Sequence, residues 1–387
     1  MMIDADGVIA PKSLGLAASV ILFLHNRYRH SGGEERAVED LLWLVREHLG
    51  EDAELLERDS ALLGRGRAAA GMLGGGLRPD EVAAAVRRTG ARIVHAHNLT
   101  PSFGWRSLAA AREAGALVVA HLHQYRLVCA VGICFTDGRE CTRCHGRNTL
   151  PGVRHRCRGD AAESLVYAAA LALWQRRVAA LIDVAIVPSE FARRRLLALG
   201  APLPTTHVLP HPVRRFAPRS QAQAGSYALF SARLEPEKGL EVAVAACRVA
   251  GVPLLVAGAG SQRARFEGAP DVRFAGFVGD GELAALRAGA KLALMPSLTA
   301  ETFGLAAAEA MAAGVPVAGS DIGALPELIP ARWLSPPGDA PALAATIAAL
   351  AADPDAGEDA LSTARGLLDP DALAAKLASI YASEPRR

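Results

Sequence analysis

What most restricts the fold of this chain is the way its short apolar runs end. Lys291 to Pro296 holds the run Leu292-Ala293-Leu294-Met295, stops at Pro296-Ser297 and then passes into an apolar helical stretch. A short run without polar alternation, bounded by turn residues and followed by a helix, reads as a buried parallel strand of an α/β sheet. The unit recurs. Tyr227 to Ser231 precedes a helix reaching about Arg248, and Pro253 to Ala257 meets Gly258-Ala259-Gly260. Val20 to Leu24 leads through a loop into Gly32-Gly33-Glu34-Glu35, where Val38, Leu41, Leu42 and Val45 keep helical spacing. Arg92 to His95 and Leu117 to Leu122 read as two more strands, ending in His95-Ala96-His97-Asn98 and His121-Leu122-His123-Gln124. Ligands of such sheets lie beyond the carboxyl ends of the strands.

Two carboxylates mark one of those ends. Glu301 and Glu309, with seven residues between them, flank the start of the helix after Pro296-Ser297. Gly304 permits close backbone approach there, and the free N–H groups of a first helical turn favour an anion such as a phosphate. Either carboxylate can accept two hydrogen bonds from a vicinal diol. By themselves the pair would read as a helix-dipole partner and a solvated face. Arg233 and Lys238, five apart on a strand-to-helix loop, add a planar fork and a point charge able to converge on one pyrophosphate.

Arg233 with Lys238-Gly239, Gly258-x-Gly260, the Phe274 to Phe277 strand, Pro296-Ser297, Glu301 through Glu309, Gly314-x-Pro316-Val317, Gly323 and Pro326-Glu327 share one order and spacing. In these residues the chain resembles the retaining glycosyltransferases of family four, over roughly residues 225 to 330 and more weakly through the N-terminal half. The resemblance implies an α/β chain of the GT-B type, two Rossmann-like doubly wound parallel-sheet domains facing a central cleft. Residues 1–205 would be the acceptor domain, 206–369 the nucleotide-sugar domain, and 370–387 a helix returning to the first. The Pro-rich stretch from Leu203 to Arg219 reads as the linker.

The resemblance also assigns roles. Arg233 and Lys238 would neutralise the leaving diphosphate, Glu301 would hold the sugar hydroxyls and Glu309 the ribose. Gly32 and Gly33 would face the diphosphate across the cleft, and His123 would sit near the sugar's hydroxymethyl group. Gly258, Gly260, Phe277, Val278, Thr302, Phe303, Gly304 and Leu305 complete the donor site, while His97, Asn98, Tyr125 and Arg126 resemble an acceptor-side loop. Val208 to Val213, with Pro210-His211-Pro212, departs from the family's usual Asn-Gly. Ser189 reads as a structural helix N-cap.

The implied reaction transfers a hexosyl group from a UDP- or GDP-sugar to a hydroxyl acceptor with retention, without catalytic magnesium. A saccharide, a lipid-linked saccharide and a natural product remain open as acceptors. A sugar phosphorylase, a nucleotide-sugar epimerase and a non-catalytic nucleotide-sugar binder are the rival readings.

Cysteines supply a separate signal. Five of six fall between Cys129 and Cys157, and Cys141-Thr142-Arg143-Cys144 has metal-hairpin spacing, with Cys129 twelve residues before and Cys157 thirteen after. The pattern reads as structural zinc on Cys129, Cys141, Cys144 and Cys157, with His145 and His155 as alternative ligands and Cys134 a free thiol. A subset of the family carries a similar insert, here about residues 129–157.

Composition is compatible with two cores: 387 residues, 51% of them hydrophobic. A formal charge of +2, from 42 basic and 40 acidic residues, excludes a global field for nucleic acid. Arg193-Arg194-Arg195 and Arg214-Arg215 read as solvated faces. No apolar stretch reaches a spanning length, and the first eighteen residues, with Asp4 and Asp6 and no basic start, read as a surface leader. Cytoplasmic residence is the expectation, with peripheral membrane contact through the Leu165 to Leu173 segment kept open.

Overall fold

The structure, a computed structural model, describes residues 20–28 and 32–382. The leader reading, three residues of the first loop and the last five residues of the chain lie outside the described residues.

The N-terminal lobe runs β1 (Ile21–Arg27), α1 (Gly33–Leu44), β2 (Ala53–Asp59), α2 (Arg65–Gly74), α3 (Pro79–Thr89), β3 (Ile93–Ala96), α4 (Gly104–Glu113) and β4 (Leu117–His121). A small hairpin of β5 (Phe135–Thr136) and β6 (Arg139–Glu140) follows, then α5 (Leu150–Arg154), α6 (Ala161–Ala180), β7 (Val184–Val187), α7 (Glu190–Ala198) and β8 (Thr206–Val208). The second lobe runs β9 (Tyr227–Ser231), α8 (Leu240–Ala250), β10 (Leu254–Ala257), α9 (Arg263–Phe266), β11 (Val272–Gly276), α10 (Asp280–Ala288), β12 (Ala290–Met295), α11 (Leu305–Ala312), β13 (Val317–Ser320) and β14 (Leu334–Ser335). Helices α12 (Ala340–Ala352), α13 (Ala356–Leu368) and α14 (Pro370–Tyr381) end it.

Each lobe is a doubly wound unit. The first sheet has the order β2-β1-β3-β4-β7-β8 and the second β11-β10-β9-β12-β13-β14, with parallel neighbours throughout both. Strand order reverses between β1 and β3 in one lobe and between β9 and β12 in the other. At such switch points the loops diverge and leave a crevice, which is why the loops after these strands carry the site.

The strands are buried on both faces, as their unalternated apolar runs require. Phe23, Val119 and Ile186 pack on one side of the first sheet with Val38, Leu41 and Leu42 of α1; Leu22, Val94 and Val118 pack on the other with Val82, Val86 and Leu108. Helix α14 returns to this first sheet. Its Leu373, Leu377 and Ile380 join the core of α1 and β1, each such side chain contributing about 2 kcal/mol by burial. The Tyr381 hydroxyl ends the helix on His95 Nδ1 at 2.6 Å.

The arginine runs are more than solvated faces. Arg214 Nε pairs with the buried Asp40 Oδ1 at 2.5 Å, and Arg195, largely covered, reaches Glu140 at 2.5 Å. The inter-lobe segment and the cysteine-rich insert are each tied down by one of these cations.

Candidate active site

On the second lobe, the site is built by the loops after β9 and β12. Leu298 N–H donates to the Glu237 carbonyl at 2.9 Å and ties the two loops together. Lys238 Nζ thereby stands 2.7 Å from Glu301 Oε1, and the Ser297 hydroxyl donates to the same oxygen at 2.8 Å. Burial opposes ionisation of Glu301, but Lys238, Ser297 and Arg233 outweigh it and hold its carboxyl below the ordinary range. Arg233 is half exposed and pairs with Glu237 at 2.8 Å, so it reaches the cleft from the rim while Lys238 reaches it from inside.

Gly304 starts α11 at φ 104°, a conformation that suits glycine, and a Cβ there would lie 2.7 Å from Leu325 Cδ2. Across the cleft, a Cβ on Gly33 would meet Leu305 Cδ2 at 3.9 Å. Gly33 at the start of α1 and Leu305 at the start of α11 therefore face each other. Gly258 and Gly260 have a different use: added Cβ atoms would strike the Ala232 carbonyl oxygen at 1.9 Å and the Leu234 carbonyl oxygen at 2.5 Å. They let β10 close against the loop that carries Arg233. Phe277 is 75% exposed and follows the end of β11, and Val278 is partly buried beside it.

Glu309 is mostly buried and bound by two arginines that the sequence reading passed over. Arg287 of α10 pairs with its Oε2, and Arg36 of α1 reaches its Oε1 at 3.3 Å across the cleft. Arg36 also pairs with Asp280 and lies 3.5 Å from Asp40. Burial pushes the Asp40 carboxyl up to about 6, even with Arg214 and Arg36 beside it. Arg36 was detectable as the cation following the Glu34-Glu35 helix start; Arg287, late in an otherwise ordinary amphipathic helix, offered no local signal.

The first lobe contributes imidazoles. His97 Nδ1 and His123 Nε2 share a hydrogen bond at 2.7 Å, and His211 Nε2 lies 3.5 Å from His123 Nδ1. His95 and His121 lie alongside, and Phe303 abuts His211 edge-on with ring centroids 5.0 Å apart. Burial lowers all five: His95 to about 3, His211 to about 4 and the others well below their ordinary range. They are neutral near pH 7. His211, conspicuous in sequence only as a departure at Pro210-His211-Pro212, extends the row.

The lobes are joined along one seam. The Thr302 hydroxyl donates to the His123 carbonyl at 2.8 Å, Ser189 to the Thr302 carbonyl at 2.7 Å, and Tyr125 to the Ala300 carbonyl at 3.2 Å. Glu327 accepts from the N–H groups of Glu190 and Phe191 at 2.9 and 2.6 Å, capping α7 from the other lobe. Ser189 accepts from Ala192 N–H at 3.0 Å as its own helix cap, so it serves the helix and the seam together.

Cys129, Cys134, Cys141, Cys144 and Cys157 line one small cavity. A hydrogen bond from Cys134 lowers the Cys129 thiol to about 6, and burial raises Cys144 to about 11. In a four-sulfur zinc site, bonds of about 2.3 Å bring every sulfur close to the others. Among the described residues, the donor triads gathered within 4.8 Å are His95-His97-His121 and His121-His123-His211, with no cysteine among them. As they stand, the sulfurs do not fit a closed zinc site.

Among the described residues no helix is long and apolar enough to cross a membrane.

Residues 225–353 match the family described as Glycosyl transferases group 1. An amylovoran biosynthesis glycosyltransferase of Erwinia amylovora is 37% identical over 139 residues, covering 31% of this chain and 34% of that protein. A GDP-mannose-dependent phosphatidylinositol dimannoside mannosyltransferase of Mycobacterium tuberculosis is 38% identical over 174 residues, 40% of this chain and 45% of that protein. The chain thus spans less than half the length of these relatives. In structure it resembles sucrose-phosphate synthase of Thermosynechococcus elongatus, with a TM-score of 0.67 and 20% identity over 94% of this chain and 98% of that one. It also resembles Anabaena HepE in complex with UDP and glucose, with a TM-score of 0.62 and 19% identity over 94% and 99%. Two parallel doubly wound lobes give this chain the GT-B fold, and the segment matching the glycosyl transferases group 1 family, residues 225–353, forms most of the second lobe.

Proposed function

We propose that the protein is a retaining glycosyltransferase that moves a hexosyl group from a UDP- or GDP-sugar to a hydroxyl. The observation that carries this reading is the largely covered Lys238–Glu301 pair at the start of α11, opposite Gly33. A cation fixed at 2.7 Å from a carboxylate, next to free helical N–H groups, suits a diphosphate joined to a polyol.

As the bond from the anomeric carbon to the diphosphate oxygen breaks, negative charge grows on that oxygen. Lys238 and Arg233, with the amides at Gly304 and Leu305, are positioned donors for it, and such preorganised donors contribute about 3 kcal/mol each. Glu301 accepts from the sugar hydroxyls while its other oxygen keeps Lys238 in place. Glu309 takes the ribose hydroxyls once Arg36 yields one of its positions. The leaving oxygen accepts the proton of the acceptor hydroxyl on the same face, which gives retention without a protein nucleophile. With these cations neutralising the charge, the chemistry proceeds without magnesium.

In this reading His123, whose carbonyl accepts from the Thr302 hydroxyl at 2.8 Å, contacts the sugar's hydroxymethyl group. The coarse halves of the chain, 1–205 for acceptor and 206–369 for donor, with the final helix bracing the first, belong to the same reading, as does work in the cytoplasm. A structural zinc on Cys129, Cys141, Cys144 and Cys157 would require the sulfurs to close up, and no step depends on it; zinc analysis of purified protein decides it.

The test is turnover of UDP-glucose and GDP-mannose with the anomeric configuration of the product read by NMR. A retained product from wild type, lost in Lys238→Met, is the expected result; an inverted product overturns the mechanism.

A further inference from the structure

A cavity opens into the first lobe beside the His97–His123 pair, between α2, the start of α4, α6 and the carboxyl ends of β3 and β4. Its outer walls are Met72, Trp105, Tyr167, Leu171, Trp174 and Val178. The two indoles form a corner, with centroids 5.6 Å apart and planes inclined at 47°. Trp174 Nε1 donates to the Leu73 carbonyl at 3.0 Å, so the indole offers the cavity only its carbon face.

The polar wall is already committed to itself. Arg126 donates to Thr100 Oγ1 and Gln124 Oε1, each at 3.1 Å, and Thr100 donates to Asn98 Oδ1 at 2.9 Å. Gln124 Nε2 donates to Glu34 at 3.1 Å, and the Tyr28 hydroxyl donates to Glu34 at 2.7 Å. Gln175 Nε2 serves the Leu127 and Gly146 carbonyls. Five buried polar atoms of the lining lack a partner: His97 Nε2, His121 Nδ1 and Nε2, Arg126 Nε and Trp105 Nε1. Two of these back onto main chain, Arg126 Nε against Gly132 and Trp105 Nε1 against Gly75. The imidazoles remain: His121, 2% exposed, is stacked among His95, His97, His123 and His211, whereas His97, 5% exposed, has one nitrogen bonded to His123 and leaves Nε2 for a ligand.

We propose that this cavity seats the acceptor, and that the acceptor is an uncharged, largely apolar ring compound presenting one hydroxyl to His97 Nε2. The proposal rests on the glycosyl-transfer reading and names the substrate class that reading leaves open. A hydroxyl both donates and accepts, so it satisfies His97 in either tautomer. A saccharide would bury several hydroxyls against apolar walls and strand them, at about 1–3 kcal/mol each. A phosphate or carboxylate would meet one cation, Arg126, whose two outer nitrogens are engaged and whose charge Glu34 offsets. Flat apolar rings match the indole corner without either penalty.

The experiment is calorimetric titration of the full chain, without nucleotide, with naringenin and 2-naphthol at pH 6.5, where both are uncharged. Maltose and phosphatidylglycerol vesicles are the contrasting titrants. Saturable heat from naringenin or 2-naphthol, absent with maltose and vesicles, is expected. Leu171→Trp, which fills the cavity, should abolish it, and His97→Phe should weaken it about tenfold. UDP and GDP titrations of the same proteins report folding of the variants and test the donor reading separately. Nucleotide binding with no heat from either phenol, or with equal binding of maltose or vesicles, overturns the inference while leaving the glycosyl-transfer reading intact. Phenol binding without UDP or GDP binding overturns the reading of the reaction instead.

Discussion

Lys238 and Glu301, sixty-three residues apart in sequence, meet at 2.7 Å with both side chains largely covered. Removing one member leaves the other charged in a dry place, which costs on the order of 3 kcal/mol of stability. Lys238→Met is therefore expected to lower both melting temperature and turnover, the latter by about a hundredfold or more. The double variant Lys238→Met with Glu301→Gln should regain stability but not turnover. Melting curves and kcat on the same preparations separate the two effects; recovered turnover in the double variant would dismiss the leaving-group role of Lys238.

Arg36 spans the cleft to Glu309 and Asp280. In the proposed mechanism the ribose competes with it for Glu309. Arg36→Ala should tighten UDP or GDP binding a few-fold and reduce the change in affinity between low and high salt, since a partly exposed ion pair is screened. Titration calorimetry at two salt concentrations measures it. Weaker binding in the variant would instead make Arg36 a ligand contact.

The buried imidazole row makes the fold acid-sensitive. His95 at about 3 and His211 at about 4, with His97, His121 and His123 also lowered by burial, stay neutral where the unfolded chain's histidines take up protons near 6.5. Between about pH 4 and 6.5 the unfolded state binds more protons, so stability falls as pH falls through that window, by up to about 1.4 kcal/mol per pH unit for each histidine. His95→Phe, whose ring would keep the stack on Phe23, should remove about one proton from the slope of stability against pH. Denaturant midpoints from pH 7 to 5 check it; an unchanged slope would mean His95 titrates with the solvent.

Glycine positions give a contrast free of catalysis. At Gly258, φ is 142° and an added Cβ would sit 1.9 Å from a carbonyl oxygen; at Gly66, within α2, nothing lies within 4 Å. Gly258→Ala should destabilise by several kcal/mol, whereas Gly66→Ala should stabilise by about 0.5–1 kcal/mol. Thermal unfolding of the two variants is sufficient.

Much of this architecture was legible in the apolar runs, because a strand buried on both faces has no polar alternation and Gly or Pro marks where it stops. Tyr227–Ser231 was read to the residue, and Ala290–Met295 to within one residue at each end. Lys238 and Glu301 were legible because each sits at a strand-to-helix junction. The partners of Glu309 were not: Arg36 lies in another lobe and Arg287 on another helix, and such pairings depend on how lobes dock. At Gly258 and Gly260 the sequence shows a need for space, and in the fold that space is taken by the Ala232 and Leu234 carbonyls. The imidazole row escaped for a similar reason, because β3, β4 and the segment holding His211 become neighbours only in the folded sheet.

The two margins of the cleft are held by different forces. Toward β12 and β13, hydrogen bonds from Thr302, Ser189 and Tyr125, and those accepted by Glu327, stitch lobe to lobe; toward β11, Arg36 bridges through ion pairs with Asp280 and Glu309. A book bound along its spine and clasped at its fore-edge opens only at the clasp. In the proposed reaction, donor entry and product escape would then share one salt-sensitive margin, and ionic strength would regulate that traffic without touching the atoms that react.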